Sequence, residues 1–162
     1  MNQILGAMRR IDDEHGAVRV EDVYDTDIDD LWSAITEPAR LARWLATVEG
    51  DPRLGGTVYA RFTSTWQGPG RIDVCDAPQR LLLTMEPGTD DEAQIEAVLT
   101  AEGGRTRLAI EERGLPLEHL YKHGAGWQAH IEDLARYLAG GESNWKARWT
   151  ELTSDYETLA VA

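Results

Sequence analysis

The feature that most restricts the fold of this chain is a change of period. Val58, Ala60 and Phe62 alternate with Tyr59, Arg61 and Thr63, and the alternation returns at Ile72 and Val74, at Leu81, Leu83 and Met85, at Ile95, Ala97 and Leu99, and at Leu108 and Ile110. Period two belongs to strands with one buried face. "QGPG", Pro78, "PGTDDE" and Gly103-Gly104 separate the segments and are suited to turns, so an antiparallel meander is predicted, apolar on one face and wet on the other. In "HGAGWQAHIEDLARYLAGG", residues 123–141, the period then becomes helical. At about 100° per residue, Ile131, Leu134 and Leu138 fall within about 40° of Trp127, while Gln128, Glu132, Asp133 and Arg136 fill the opposite half. A helix of this kind after a one-faced meander covers its apolar face. Burying Trp127 there removes roughly 150–250 Å² from water, worth about 4–6 kcal/mol before ordering costs, and Gly124 and Gly126 let the backbone come close.

Upstream, "GAMRRI" and "GAVRVEDVY" flank the polar, glycine-ended "DDEHG", which predicts an edge hairpin with Val18 and Val20 on one face. Ile28, Leu31, Trp32 and Ile35 then mark one face of a helix that Asp25, Thr26 or Asp27 can cap. Pro38, suited to a first helical turn, starts a second short helix running to Trp44.

The chain has 162 residues, which suits one domain, and 42% hydrophobic residues supply one substantial core. Its 29 acidic and 16 basic side chains give a formal charge of −13. Phosphate backbones and anionic lipids are bound chiefly by clustered positive charge, so nucleic acid and membranes are not expected partners. Cys75 is the only cysteine, no apolar window approaches the roughly 18 residues of a membrane span, and no basic residue precedes the first apolar stretch. A cytoplasmic protein is expected.

With the elements in this order, "VRVEDVYDTDIDDLWSAITEPARLARWL", "GDPRLGG", "GRIDVCDAPQRLLLTME", "TRLAIEERGL" and "HGAGWQAHIEDLARYLAGG" resemble the START-like helix-grip (SRPBCC) superfamily. Within it, the resemblance is to homologues of the activator of heat-shock-protein-90 ATPase. It implies an α+β helix-grip fold: a curved antiparallel sheet around a long C-terminal helix, two short helices after the first strand, and often a cavity between sheet and helix. The superfamily includes lipid carriers, hormone receptors, polyketide cyclases and co-chaperone domains, and the matching motifs are those of the fold rather than of a reaction.

The resemblance places Trp44, Trp66 and Trp127 near the edge of the cavity, among six tryptophans in the chain. Phe62, Leu83, Met85 and Ile95 would add apolar lining, and Tyr59 or Arg61 a polar anchor. Strand parity alone leaves open whether Phe62 or Arg61 faces inward. On the helical wheel His130 lies about 60° from Trp127 and His123 about 40° away on the same side. Either histidine could line the cavity mouth as a hydrogen-bond donor or general base, although a place at the seam between sheet and helix is the commoner fate of such residues. Roughly 10 Å of helix rise separates them, too far to share a metal, and Gly114, Pro116 and Gly124 argue against pairing His119 with His123 on a regular helix. No metal or cofactor is expected. Cys75 should alternate with Val74 onto the outer face, and Glu111-Glu112 reads as a solvated strand end. No serine sits in a nucleophile-elbow context.

These readings favour a protein that binds or carries a small hydrophobic or aromatic molecule. The alternatives are a protein-interaction or co-chaperone-like module and an enzyme of cyclase or dehydratase type. In the tail, "GESNWKARWTELTSDYETLAVA", Trp145, Trp149, Leu152, Tyr156 and Leu159 form one helical stripe, with Ser143 or Asn144 as an N-cap. Such a stripe over residues 143–160 must dock, either on its own domain or against a second copy as a homodimer interface.

Overall fold

The computed structural model describes residues 2–162. An N-terminal hairpin, β1 (Gly6–Arg10) and β2 (His15–Tyr24), leads into α1 (Ile28–Thr36) and α2 (Pro38–Leu41). Six strands follow: β3 (Ala46–Gly50), β4 (Thr57–Phe62), β5 (Gln67–Asp76), β6 (Arg80–Met85), β7 (Ala93–Glu102) and β8 (Arg105–Pro116). A 3₁₀ turn, Leu117–His119, opens into the long α3 (Leu120–Leu138), and α4 (Trp145–Thr158) closes the chain. All eight strands join one antiparallel sheet in the order β1-β2-β8-β7-β6-β5-β4-β3. The change of period predicts this meander with its covering helix, and the whole is the α+β helix-grip arrangement that the resemblance implies.

Local chemistry sets the boundaries. Asp27 caps α1 by accepting the Asp30 N–H at 2.8 Å, and Pro38 begins α2, which ends at Leu41, with hydrogen-bonded turns continuing to Leu45. Gly103 and Gly104, at φ +58° and +85°, form the two-residue turn between the paired Glu102 and Arg105, where positive φ at both positions favours glycine. "QGPG" is not a turn. It belongs to β5, and the real turn is Thr63–Trp66. Gly68 and Gly70 are buried in β5 because a Cβ there would stand 2.9 Å from the Trp66 ring and 2.8 Å from Met85 Sδ.

β5 also carries a bulge. Ile72 pairs with Leu83 and Val74 with Leu82, which leaves Asp73 as the extra residue. Because side chains alternate with period two, one inserted residue moves everything after it to the other face. Cys75 therefore pairs with Leu81 and lies on the concave side, not on the outer face that unbroken alternation predicts.

Leu31, Leu108, Leu120, Ile131 and Leu134 are among the fully buried side chains between sheet and helices. Part of the polar half of α3 is buried as well, against the amphipathic expectation. Gln128 and Asp133 are 0% and 1% exposed because α4 lies across them. Asp133 takes the Ser143 hydroxyl, the Asn144 N–H and the Arg136 guanidinium, so it tethers the start of α4, where Asn144 makes no side-chain cap. Arg148 forks onto the Glu132 carboxylate, and Leu152 and Tyr156 are fully buried. The C-terminal stripe thus docks on its own fold. Beyond it, Val161 bridges to Met8, so the last residues cover the edge strand β1. Among the described residues no helix is long and apolar enough to cross a membrane.

Candidate functional site

Two adjoining cavities lie between the concave face and the helices. The first, about 190 Å³, sits between β4, β6, β7 and β8 and the N-terminal part of α3 and is roofed by α4. The second, about 140 Å³, runs deeper, with apolar side chains from all of β3–β8 on one side and α1, α2 and Trp127 on the other. Phe62, Met85, Ile95 and Trp127 line both and form the wall between them.

The deep cavity is almost wholly apolar. Trp44 forms its end, 1% exposed, with its indole N–H donated to the Ala34 carbonyl at 2.9 Å, so the ring is fixed and presents only carbon to the space. Leu81, Leu83 and Ala97 line the sheet side, and Cys75 stands at its margin.

The outer cavity is aromatic and carries the polar groups. Phe62 meets Trp66 edge-on at 5.5 Å and Trp127 at 6.3 Å, and Trp145 and Trp149 stack at 5.5 Å. The Trp127 indole N–H donates to Glu112 Oε1 at 2.9 Å, and His123 Nδ1 lies 3.4 Å from the same oxygen. His130 sits among Phe62, Trp127 and Trp145, 4% exposed, with Nδ1 3.5 Å from the Thr63 hydroxyl. Burial, which disfavours the charged ring, pushes its pKa down to about 3. The imidazole is neutral at physiological pH and can exchange one hydrogen bond with a guest.

Of the residues expected at the site, Phe62, Trp66, Met85, Ile95, His123, Trp127 and His130 line the outer cavity. Trp44 and Leu83 line the deep one. Tyr59 and Arg61 do not take part. They lie on the outer face of β4, where the Arg61 guanidinium stands over the Tyr59 ring at 5.0 Å and 3.4 Å from Glu49. Phe62 is therefore the inward residue, and the polar anchors on this strand are absent from the cavity.

Glu112 corrects the sequence reading in the other direction. It faces the cavity, while its neighbour Glu111 takes Arg9 and Arg113 on the opposite face. His123 is helical, since α3 already begins at Leu120. Trp145 and Trp149 belong to the site because α4 folds back over α3, a placement that the helical stripe does not reveal. No group of three or more potential metal-binding side chains occurs among the described residues.

The sequence profile of the Activator of Hsp90 ATPase homolog 1-like proteins matches residues 25–139. No curated protein matches the chain. Among solved structures, CalU16 from Micromonospora echinospora is similar at 26% identity and a TM-score of 0.78, with 95% of this chain and 96% of that one covered. DynU16, a protein in the dynemicin biosynthetic locus, is similar at 27% identity and a TM-score of 0.71. That match covers 78% of this chain, which spans about half of DynU16, 48% of its length. A protein from Bordetella parapertussis shares the fold at 22% identity and a TM-score of 0.70, over 94% of this chain and 90% of its own.

Proposed function

The chain belongs to the family of Activator of Hsp90 ATPase homolog 1-like proteins, and from that premise we propose that it binds or carries one small hydrophobic or aromatic molecule between the sheet and α3. One observation carries the reading, namely the pair of cavities of about 190 and 140 Å³ sharing a wall of four side chains. Protein interiors pack to the density of organic crystals, so an unfilled apolar volume of this size supports a site rather than slack in the core. A cavity of about 150 Å³ with apolar walls stays dry and admits a compact guest such as an aromatic ring. The setting of DynU16 in a biosynthetic locus agrees with a small organic ligand.

A second reading, an enzyme of cyclase or dehydratase type, draws on Glu112 and His130 lining the same aromatic cavity. A carboxylate and a neutral imidazole are the groups that proton transfer on a bound molecule would use.

Titration with a fluorescent fatty-acid analogue tests the binding reading. A saturable one-to-one signal is expected, and Ala97→Trp, which fills the deep cavity from the sheet side, should abolish or weaken it at least tenfold while the circular dichroism spectrum stays native. A wild-type protein that shows no saturable signal, and that emerges ligand-free in native mass spectrometry from its own host, would remove the carrier reading.

A further inference from the structure

We propose that the outer cavity selects an organic cation, a substituted ammonium bearing an aromatic or branched alkyl group, seated against Glu112 within a cage of tryptophans. The inference rests on the carrier reading and names the class of ligand. Its starting point is a carboxylate that no arginine or lysine pairs. The Glu112 side chain is 13% exposed and lines the cavity. Its Oε1 takes the Trp127 N–H and lies near His123, while Oε2 has no hydrogen-bond partner among the described residues and is open to solvent. No arginine or lysine of the described residues pairs with it, whereas Glu111, one residue away, has two arginines. A carboxylate turned into an aromatic chamber with no arginine or lysine in contact gains from a cationic guest beside it.

The walls suit the same guest. Phe62, Trp66, Trp127, Trp145 and Trp149 surround the space, and the negative faces of aromatic rings attract ammonium groups, most strongly for tryptophan and when water is excluded. Three basic side chains share the lining. His130 is held neutral by burial, His123 lies 3.4 Å from Glu112 Oε1, and the Lys122 ammonium stands 5.8 Å from the Tyr121 ring centroid, outside hydrogen-bond reach of Glu112. The overall charge of −13 raises the local concentration of cations. A neutral phenol donates one hydrogen bond to Glu112 but brings no charge for the aromatic faces to attract.

The test compares benzyltrimethylammonium with neopentylbenzene, its neutral isostere, by calorimetric titration at pH 8 in low salt. The cation should bind at least tenfold more tightly. In Glu112→Gln, which keeps an oxygen for the Trp127 N–H, its affinity should fall to that of the neutral probe, which itself should be unchanged. If the neutral probe binds as tightly as the cation to the wild type, the choice of ligand class is overturned and the carrier reading stands. If neither binds, the choice of ligand class is overturned, and the fatty-acid titration alone decides the carrier reading. The wild-type comparison holds even where the variant fails to fold.

Discussion

The Tyr156 hydroxyl, in the last turn of α4, donates to Gln128 Oε1 in the middle of α3 at 2.6 Å, and both side chains are wholly buried. Gln128 joins three parts of the chain, because Oε1 also takes the Leu5 N–H at 2.9 Å and Nε2 donates to the Gln3 carbonyl at 2.7 Å. Removing the two partners should therefore have unequal costs. In Tyr156→Phe, Oε1 keeps its bond to Leu5, so the loss should be about 1 kcal/mol, the net worth of one hydrogen bond. Gln128→Leu leaves the Leu5 N–H, the Gln3 carbonyl and the Tyr156 hydroxyl without this partner, at about 1–3 kcal/mol for each group that water does not reach. Urea denaturation of both variants measures the difference. Equal losses would mean that Gln128 is a bystander.

Gly124 and Gly126 face α4 rather than the sheet, and a methyl group at each meets different things. At Gly124 the new Cβ would stand 2.6 Å from the ring of Tyr156, which is wholly buried, while at Gly126 it would stand 3.4 Å from the edge of Trp145. Alanine in a helix interior gains roughly 0.5–1 kcal/mol over glycine. Gly126→Ala should therefore keep or raise the melting temperature, and Gly124→Ala should lower it by forcing α4 off α3. Thermal melts that rise for both variants would show that α4 packs less closely than this contact requires.

Sequence legibility followed the range of the interactions. The α1 cap, the glycine turn at 103–104 and the one-faced strands rest on neighbours within a few residues, and periodicity reports them. Asp73 inserts one residue into β5 and reverses Cys75, yet nothing in an alternating pattern marks which residue is extra. Gln128 and Asp133 read as solvated because helical periodicity separates polar from apolar side chains without knowing that a second helix covers the polar half. Glu111-Glu112 read as a solvated strand end because nothing local shows that α3 and α4 cover the inner face of β8 at Glu112. For the same reason Phe62 and Arg61 could not be told apart until β4 was placed against β5.

His130 gives the fold a pH dependence of definite sign. Its folded-state pKa of about 3 lies below the ordinary value of 6.5, so the unfolded chain binds the proton more readily. Its contribution is fully retained above about pH 6.5 and is lost progressively as the pH falls from there toward 3. The slope approaches 1.4 kcal/mol per pH unit, or about 2 kcal/mol between pH 6.5 and 5. That interval lies above the range where Asp30, Asp73 and Glu96, whose carboxyls are held below their usual values by hydrogen bonds and arginine partners, begin to contribute. Chemical denaturation at pH 7, 6 and 5 should show this loss in the wild type and a much flatter profile in His130→Phe. Parallel profiles would place the titrating group elsewhere.

The partition between the cavities yields the last prediction. Phe62 lines both spaces and is held by edge-on contacts with Trp66, Trp127 and His130, so its ring forms part of the wall itself. Phe62→Ala opens one continuous chamber from Glu112 to Trp44. The variant should lose stability toward the lower end of the about 3–5 kcal/mol typical of such truncations, because Phe62 is only partly buried. Its preference among probes should also change, since a guest sized for one cavity loses a wall, whereas an elongated amphiphile gains a straight path into the apolar end. Across a series of fluorescent alkyl probes of increasing length, the affinity maximum should move to longer chains. Tyr59→Ala, three residues away on the outer face of the same strand, should leave that maximum in place. Identical length profiles for the two variants would show that Phe62 does not divide the cavities.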